Sequence, residues 1–161
     1  MSDTPAAKLI LSSSLGKELN EKECEILATA MTVRRLNDKE LLIEKDASDD
    51  SLFLLACGEL AVIKKGGAKE ASVVYIMKEG ECAGTRAFVD RTPRKATLRA
   101  QGNATVYVMT PDNFENLLDT HPRIVYKVMR AIFRITHSNL MRMNQESAQL
   151  SNYINKTHGR Y

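Results

Sequence analysis

The sequence predicts a mainly β fold with flanking helices, and three patterns in its 161 residues predict it. Apolar and polar residues alternate in short runs between residues 32 and 109, as they do in half-buried strands. Turn-forming pairs such as Asn37-Asp38 and Gly66-Gly67 separate these runs. From residue 122 onward, apolar residues instead recur every three or four positions, which is typical of one long helix. Many short strands at regular intervals indicate a sandwich, a barrel or a jelly roll.

The N-terminal part is predicted to be a tail over residues 1–14, followed by one or two short helices within Ser12–Met31. Asn20 is a candidate N-cap, and Glu23 follows three residues later, which is the spacing of a capping box. Apolar residues then recur at helical spacing as far as Met31. The main domain, including its flanking helices, is predicted to span residues 15–121.

Seven runs with strand periodicity follow the short helices. They are Thr32–Leu36, Glu40–Glu44, Ser51–Cys57, Glu59–Lys65, Ala71–Lys78, Lys95–Ala100 and Thr105–Met109. Residues 80–93 interrupt the series, since glycines at the start of this segment and a proline at its end do not fit one continuous strand.

Two helices are predicted after the last strand. Thr110 is a good N-cap and Pro111 suits the first helical position, which predicts a short helix to about residue 119. The pair His121-Pro122 begins a second helix, predicted to run to about Lys156 because neither glycine nor proline interrupts it. Residues 122–161 are therefore assigned to a long C-terminal dimerisation helix and tail.

Apolar side chains along the long helix follow a heptad-like spacing with one stutter near Thr136. This predicted seam consists of Val125, Met129, Ile132, Thr136, Leu140, Met143, Ser147, Leu150 and Ile154. Beyond Asn139 the helix is expected to extend past a small domain, and an apolar stripe in water has to be covered. We therefore expect a homodimer through this helix.

Composition argues against several classes of function. The net charge is only +3 and the basic residues are scattered, so no nucleic-acid-binding stripe stands out. No apolar run approaches the length of a membrane span, and a cytoplasmic protein is expected. Cys24, Cys57 and Cys82 are far apart and lack zinc-ligand spacing, so reduced thiols and no metal site are predicted. Since no hydrolase, P-loop or dinucleotide fingerprint occurs, we expect no catalytic residues and no enzyme.

The segment 80–100 carries the candidate site. A glycine turn at Gly84 leads into about one helical turn, whose first amides, at residues 85–87, lack intrahelical acceptors and favour an anion. Arg94 follows the rigid Pro93 and can offer a bidentate guanidinium to the same anion. This arrangement predicts a buried phosphate cradle.

The same segment resembles the phosphate-binding cassette of cyclic-nucleotide-binding domains. The residues that match that cassette are Gly80, Glu81, Gly84, Ala87, Pro93, Arg94, Ala96, Thr97, Leu98 and Ala100. Upstream, residues 45–60 resemble the hairpin of the same family, and the resemblance extends from about Leu15 to Ile154. It implies an eight-stranded jelly-roll β-barrel.

The resemblance implies a pocket for cAMP or cGMP, with a cyclic dinucleotide less favoured and no cofactor required. The implied ligand-binding residues are Gly84, Thr85, Arg86, Ala87, Arg94, Lys95, Ala96 and Thr97. Two positions depart from the family pattern. The glutamate that accepts a hydrogen bond from the ribose 2′-hydroxyl falls at Thr85, and the following leucine falls at Arg86. Loss of a hydrogen bond to a charged group costs about 1.5–3 kcal/mol, or roughly 10- to 100-fold in affinity.

Two functions follow from this pattern. One is a standalone regulatory module that binds a cyclic nucleotide or similar phosphate ligand and signals through its C-terminal helix to an unknown protein partner. The alternative, motivated by Thr85 and Arg86, is a degenerate, ligand-free dimeric scaffold of the same fold. Many bacterial relatives add a helix-turn-helix after the long helix, but residues 155–161 are too few to form one, so no DNA binding is expected.

Overall fold

The computed structural model describes residues 3–65 and 70–158, which form one antiparallel sheet with helices packed around it. The elements in chain order are α1 (Ala7–Ser12), α2 (Glu21–Ala28), β1 (Thr32–Leu36), β2 (Leu41–Ile43), β3 (Leu52–Lys65), β4 (Ala71–Met77), β5 (Cys82–Ala83), α3 (Thr85–Asp90), β6 (Thr97–Met109), α4 (Pro111–Glu115) and α5 (Pro122–His158). The predicted mainly β fold with flanking helices and a long C-terminal helix is confirmed. The predicted Gly66-Gly67 turn and both chain ends lie outside the described residues.

Two long strands, β3 and β6, organise the sheet. They pair with each other from Leu52 opposite Met109 to Ile63 opposite Thr97. β1 and β2 add to β6, whereas β4 and β5 add to β3, so the path through the sheet runs β1-β6-β3-β4.

The predicted eight strands and closed barrel are not confirmed, because the described residues form six strands. The predicted strands 51–57 and 59–65 are both parts of β3, and those at 95–100 and 105–109 both belong to β6. Gly58 and Gly102 have positive φ angles of 88° and 76°, and the β3–β6 register shifts beside Gly58. These residues, which in a sequence are typical of turns, bend a continuous strand here as in a β-bulge.

Successive side chains of β3 point to opposite faces of the sheet, and the core is accordingly divided into two clusters. Leu52 and Leu54 pack with helical residues such as Leu27 and Val128 on one side of the sheet. Phe53 and Leu55 point to the opposite side, where their cluster includes Leu98 and Val106 from β6. The candidate site is built on the side of this second cluster.

The predicted helix caps are confirmed. The Asn20 side chain accepts from the Glu23 amide at 2.9 Å, and the Glu23 carboxylate accepts from the Asn20 amide at 3.0 Å. The Thr110 hydroxyl likewise accepts from the Asn113 amide at 3.2 Å, with Pro111 in the first turn of α4. Helix α4 ends at residue 115, earlier than the predicted 119.

Helix α1 lies within residues 1–14, for which only a tail was predicted. Its Ile10 is fully buried in the helical cluster of the core. The Ser13 hydroxyl donates to the Ile10 carbonyl at 2.6 Å at the end of the helix. Burial of Ile10 accounts for the order of this segment, because an isolated helix of six residues is not stable by itself.

Helix α5 carries two apolar stripes, one buried and one exposed, and the predicted seam contains residues of both. Val125 and Ile132 are buried against the core, whereas Tyr126 and Phe133 are 62% and 71% exposed. With these two aromatic residues the outer stripe keeps a strict heptad spacing, whereas the predicted seam starts on the buried stripe and follows the exposed one from its stutter near Thr136 onward. This exposed seam consists of Tyr126, Met129, Phe133, Thr136, Leu140, Met143, Ser147, Leu150 and Ile154.

Other expectations concern membranes, metals and thiols. Over residues 3–65 and 70–158, no helix combines the length and apolar character of a membrane span. Within the same ranges, no group of three or more His, Cys, Asp or Glu side chains is placed to hold a metal ion. All three cysteines are free thiols; Cys24 and Cys82 are buried and Cys57 is exposed. Burial raises the pKa of Cys82 to about 12.

Candidate functional site

A cavity of about 690 Å³ lies between the second core cluster, helix α3 and helix α5. Seven of the eight predicted site residues line it, namely Gly84, Thr85, Arg86, Ala87, Arg94, Lys95 and Ala96. Thr97 is the exception, because its hydroxyl accepts a hydrogen bond from the Lys45 amide at 3.0 Å and it does not line the cavity. The structure therefore brings the predicted cassette together around one space.

Gly84 forms the turn at the start of α3. Its φ of 84° and ψ of 16° place it in the left-handed region, where glycine carries no steric penalty. A Cβ atom at this position would lie 2.3 Å from Nη1 of Arg94 and 2.9 Å from the Ser51 carbonyl oxygen. Gly84 therefore permits both the turn and the close approach of the guanidinium.

The first amides of α3 have no protein acceptor in the part of the chain that the structure describes. In the described residues, no hydrogen bond uses the backbone N–H of residues 85–87, as expected for the first turn of a helix. The hydrogen bonding of the helix begins at Phe88, whose amide donates to the Gly84 carbonyl at 3.0 Å.

Arg94 is directed into the interior and is only 5% exposed. Its Nη2 donates to the Ser51 carbonyl at 2.5 Å and to the Asp49 carboxylate at 3.3 Å, while Nη1 donates to the Gly84 carbonyl at 3.4 Å. The guanidinium carbon lies 5.0 Å from the centroid of the Phe53 ring. The buried Nε atom has no hydrogen-bond partner in the described part of the chain.

The electrostatics of Arg94 and Asp49 are coupled. Burial lowers the pKa of Arg94, and the neighbouring Asp49 carboxylate opposes that shift. Burial by itself would raise the pKa of Asp49, but hydrogen bonds from Ser51 and the charge of Arg94 outweigh it and lower that pKa. The lowered pKa favours the ionised form of Asp49, and Arg94 keeps its charge because arginine is not deprotonated in proteins, so a buried positive charge lies beside Gly84.

Thr85 connects the cassette to the long helix. Its side chain is buried, and its hydroxyl is hydrogen-bonded to the hydroxyl of Thr136 on α5 at 3.2 Å. The position at which the family resemblance expects a glutamate is thus in contact with α5.

A second contact joins α5 to the opposite wall of the cavity. The guanidinium of Arg142 lies 4.0 Å from the centroid of the Tyr75 ring, a cation–π geometry. The Tyr75 hydroxyl donates to the Glu81 carboxylate at 2.6 Å, and this hydrogen bond raises the pKa of Tyr75. Glu81 also accepts from the Lys78 amide at 3.1 Å, which fixes its carboxylate.

Several site residues come from distant segments and were not predicted from the sequence, namely Asp49, Ser51, Tyr75 and Thr136. A usable signal was present for the first two, because residues 45–60 matched the family hairpin. Two backbone hydrogen bonds join this hairpin to the cassette. The Asp46 amide donates to the Arg94 carbonyl at 2.9 Å, and the Arg94 amide donates to the Ala47 carbonyl at 3.2 Å.

Together, the fold and the site define an antiparallel-sheet domain in which a buried arginine and a glycine turn face a cavity bordered by a long helix. The cyclic nucleotide-binding domain family matches residues 33–121, and this chain therefore belongs to that family.

A curated relative is the cAMP-dependent protein kinase regulatory subunit of Yarrowia lipolytica, which is 32% identical over 101 residues. That match takes in 63% of this chain, which spans only 26% of the subunit's length.

Two solved structures share the fold. A cyclic nucleotide-binding domain from Methylobacillus flagellatus has a TM-score of 0.82 and 21% identity, covering 87% of this chain and 81% of that one. The regulatory domain of Toxoplasma gondii PKA with cAMP has a TM-score of 0.65 and 17% identity, covering 78% of this chain and 47% of that one.

Proposed function

We propose that this chain is a regulatory module that binds a cyclic nucleotide, or a similar compact phosphate ligand, in the cavity beside Arg94. The observation that carries the proposal is the orientation of Arg94, which is 5% exposed, directed toward Gly84 and left with an unpartnered Nε in the described part of the chain. Membership of the family and the cAMP in the Toxoplasma gondii structure support cAMP as a candidate. cGMP is the second candidate, and the proposal requires no cofactor.

In this proposal the ligand phosphate lies between Arg94 and the amides of residues 85–87. A guanidinium and free amides together supply charge-assisted hydrogen bonds to phosphate oxygens. Arg86 and Lys95 line the same cavity and add positive charge nearby. The proposed role is regulatory, since these groups bind a negative charge.

Signalling is proposed to pass through α5. Arg134, Ser138, Asn139 and Arg142 of this helix all line the cavity, so a ligand there contacts the helix directly. Occupancy would alter the Thr85–Thr136 and Tyr75–Arg142 contacts and so shift the population of α5 positions. An unknown protein partner would read that shift.

Homodimerisation through α5 is the second part of the proposal. The exposed seam presents Leu140 and Leu150 at 54% and 61% exposure in a strict heptad, the pattern that two helices cover in a coiled coil. We expect wild-type protein to elute as a dimer in size exclusion with light scattering, and Leu140→Glu to elute as a monomer. Leu118→Glu is the matched control, because Leu118 is 50% exposed but lies outside the seam and is expected to leave the dimer intact. A monomeric wild type would refute this part.

Cytoplasmic action without DNA binding completes the proposal. Three basic residues on the first half of α5 are paired with carboxylates of the same domain. Lys127 is paired with Glu23 at 2.8 Å, and Arg130 and Arg134 are paired with Glu18 at 3.4 and 3.0 Å. These ion pairs make the helix a poor match for a phosphate backbone.

Calorimetry with cAMP and cGMP tests the binding function. We expect a measurable heat with at least one of them, and an affinity roughly 10- to 100-fold tighter in Thr85→Glu, because the carboxylate restores a hydrogen bond to the ribose. No heat and no thermal shift with either nucleotide or with other compact phosphates would remove the proposal.

The alternative is a ligand-free dimeric scaffold, and one observation favours it. Both Nη atoms of Arg94 already donate to protein acceptors, so the buried charge is partly satisfied without a ligand. On this alternative, wild-type protein binds neither nucleotide and Thr85→Glu gains binding. Nucleotide that copurifies with wild-type protein would exclude the scaffold.

A further inference from the structure

We propose that the ligand of this cavity carries at least two negative charges, and that Lys64 and Lys95 hold the second one. The ligand class is a nucleotide with two phosphate groups. This inference rests on the proposed ligand-binding function and specifies which ligands the site prefers.

The charges on the cavity wall do not match a singly charged ligand. Seven cationic and two acidic side chains line it. The cations are Lys17, Lys64, Arg86, Arg94, Lys95, Arg134 and Arg142, and the carboxylates are Glu81 and Glu146. The whole chain carries a net charge of only +3, so positive charge is concentrated at this cavity. A cyclic mononucleotide has one phosphodiester, which balances a single cation.

Some of these cations already have protein partners. Arg94 is paired with Asp49, Arg134 with Glu18, and Arg142 stacks on Tyr75. By contrast, no ion pair within residues 3–65 and 70–158 involves Lys17, Lys64, Arg86 or Lys95. The wall therefore carries four cations without an ion-pair partner in these ranges, against the two carboxylates of Glu81 and Glu146, which also have none there, and the excess of positive charge is left for a ligand.

Lys64 and Lys95 both line the cavity, and their backbone positions lie near the same end of the β3–β6 pair. Ile63 of β3 pairs with Thr97 of β6; Lys64 is the next residue on β3, and Lys95 precedes Thr97 by two positions. Val62 and Lys64 are two residues apart on β3 and both line the cavity, so they share the strand face that borders it. Two ammonium groups that line the same cavity repel each other, and an anion bound between them would reduce that repulsion.

We assign Arg86 to the phosphate beside Arg94, because Arg86 lies on the same helical turn as the free amides of α3. The cavity of about 690 Å³ is well within the size range of sites for whole nucleotides, about 300–1,000 Å³. Space and charge therefore both suit a ligand with a second phosphate.

The test is calorimetry of wild-type protein with cAMP, adenosine 3′,5′-bisphosphate and cyclic di-AMP. At about 50 mM salt we expect at least one of the two-phosphate nucleotides to bind about tenfold or more tighter than cAMP. At about 500 mM salt the advantage is expected to shrink, since screening weakens the second charge contact.

Lys64→Met and Lys65→Met form a matched pair. Lys65 is the adjacent, exposed residue of the same strand and does not line the cavity. We expect Lys64→Met to abolish the preference for two phosphates and Lys65→Met to retain it. An equal loss in both variants would attribute the preference to general surface charge and overturn the second subsite.

The outcomes separate the two proposals. If cAMP binds and neither two-phosphate nucleotide binds more tightly, the second subsite is wrong while the binding function stands. If none of the three nucleotides binds, the binding function itself fails.

Discussion

Replacing Arg94 with glutamine is expected to weaken cyclic nucleotide binding by at least about 100-fold. Two charge-assisted hydrogen bonds from the guanidinium to a phosphate, at about 1.5–3 kcal/mol each, correspond to roughly two to four powers of ten in the dissociation constant. Calorimetry with cAMP measures the change. Arg94 is the one arginine in the cassette that the structure buries, so no neighbouring side chain replaces it.

The control for this prediction is Arg99→Gln, because Arg99 is an exposed residue of β6 that does not line the cavity. Its affinity for cAMP is expected to match wild type. Since Arg94→Gln leaves Asp49 and the Ser51 carbonyl without their buried partner, its unfolding midpoint is measured in parallel. A folded Arg94→Gln protein with wild-type affinity would contradict the assigned role.

Replacing Gly84 with alanine is expected to reduce both stability and binding. The new Cβ would lie 2.3 Å from Nη1 of Arg94, at a residue whose φ is +84°. The left-handed backbone costs about 1–2 kcal/mol, and the forced displacement of a packed group costs a further ~1–3 kcal/mol. Urea unfolding measures the first effect. Calorimetry measures the second, which we expect to be a loss of about tenfold or more as Arg94 moves.

Gly102→Ala separates backbone strain from the clash. Gly102 has a φ of +76°, but a Cβ added there would meet no atom within 4 Å. Only the backbone penalty of about 1–2 kcal/mol is therefore expected, with unchanged affinity. Equal losses of stability and equal affinities in the two variants would show that the contact between residue 84 and Arg94 is unimportant.

Elements governed by local chemistry were predictable from the sequence. The Asn20 capping box, the Thr110-Pro111 helix start and the uninterrupted α5 all depend on residues a few positions apart. The continuity of β3 and β6 was not predictable, because Gly58 and Gly102 have the same sequence signature whether they end a strand or bend it. Only the pairing of the two strands on either side distinguishes these cases.

The site was partly predictable for a similar reason. Gly84 and Arg94 lie in one segment with recognisable chemistry, whereas their partners come from far away in the sequence. Ser51 is 43 positions from Arg94, and Thr136 is 51 positions from Thr85. Such contacts depend on how the hairpin and α5 pack, which no local pattern specifies.

The outer stripe of α5 shows a further limit. Val125 and the aromatic Tyr126 are adjacent in the sequence, and periodicity alone does not say which of the two side chains faces the domain. In the structure Val125 faces the domain, since it is 8% exposed, whereas Tyr126 is 62% exposed.

A crystal structure of the protein with cAMP tests the central claim most directly. We predict phosphate oxygens about 3 Å from the Arg94 guanidinium and from the first amides of α3. A nucleotide bound elsewhere, with Arg94 still donating only to Ser51, Asp49 and Gly84, would contradict it.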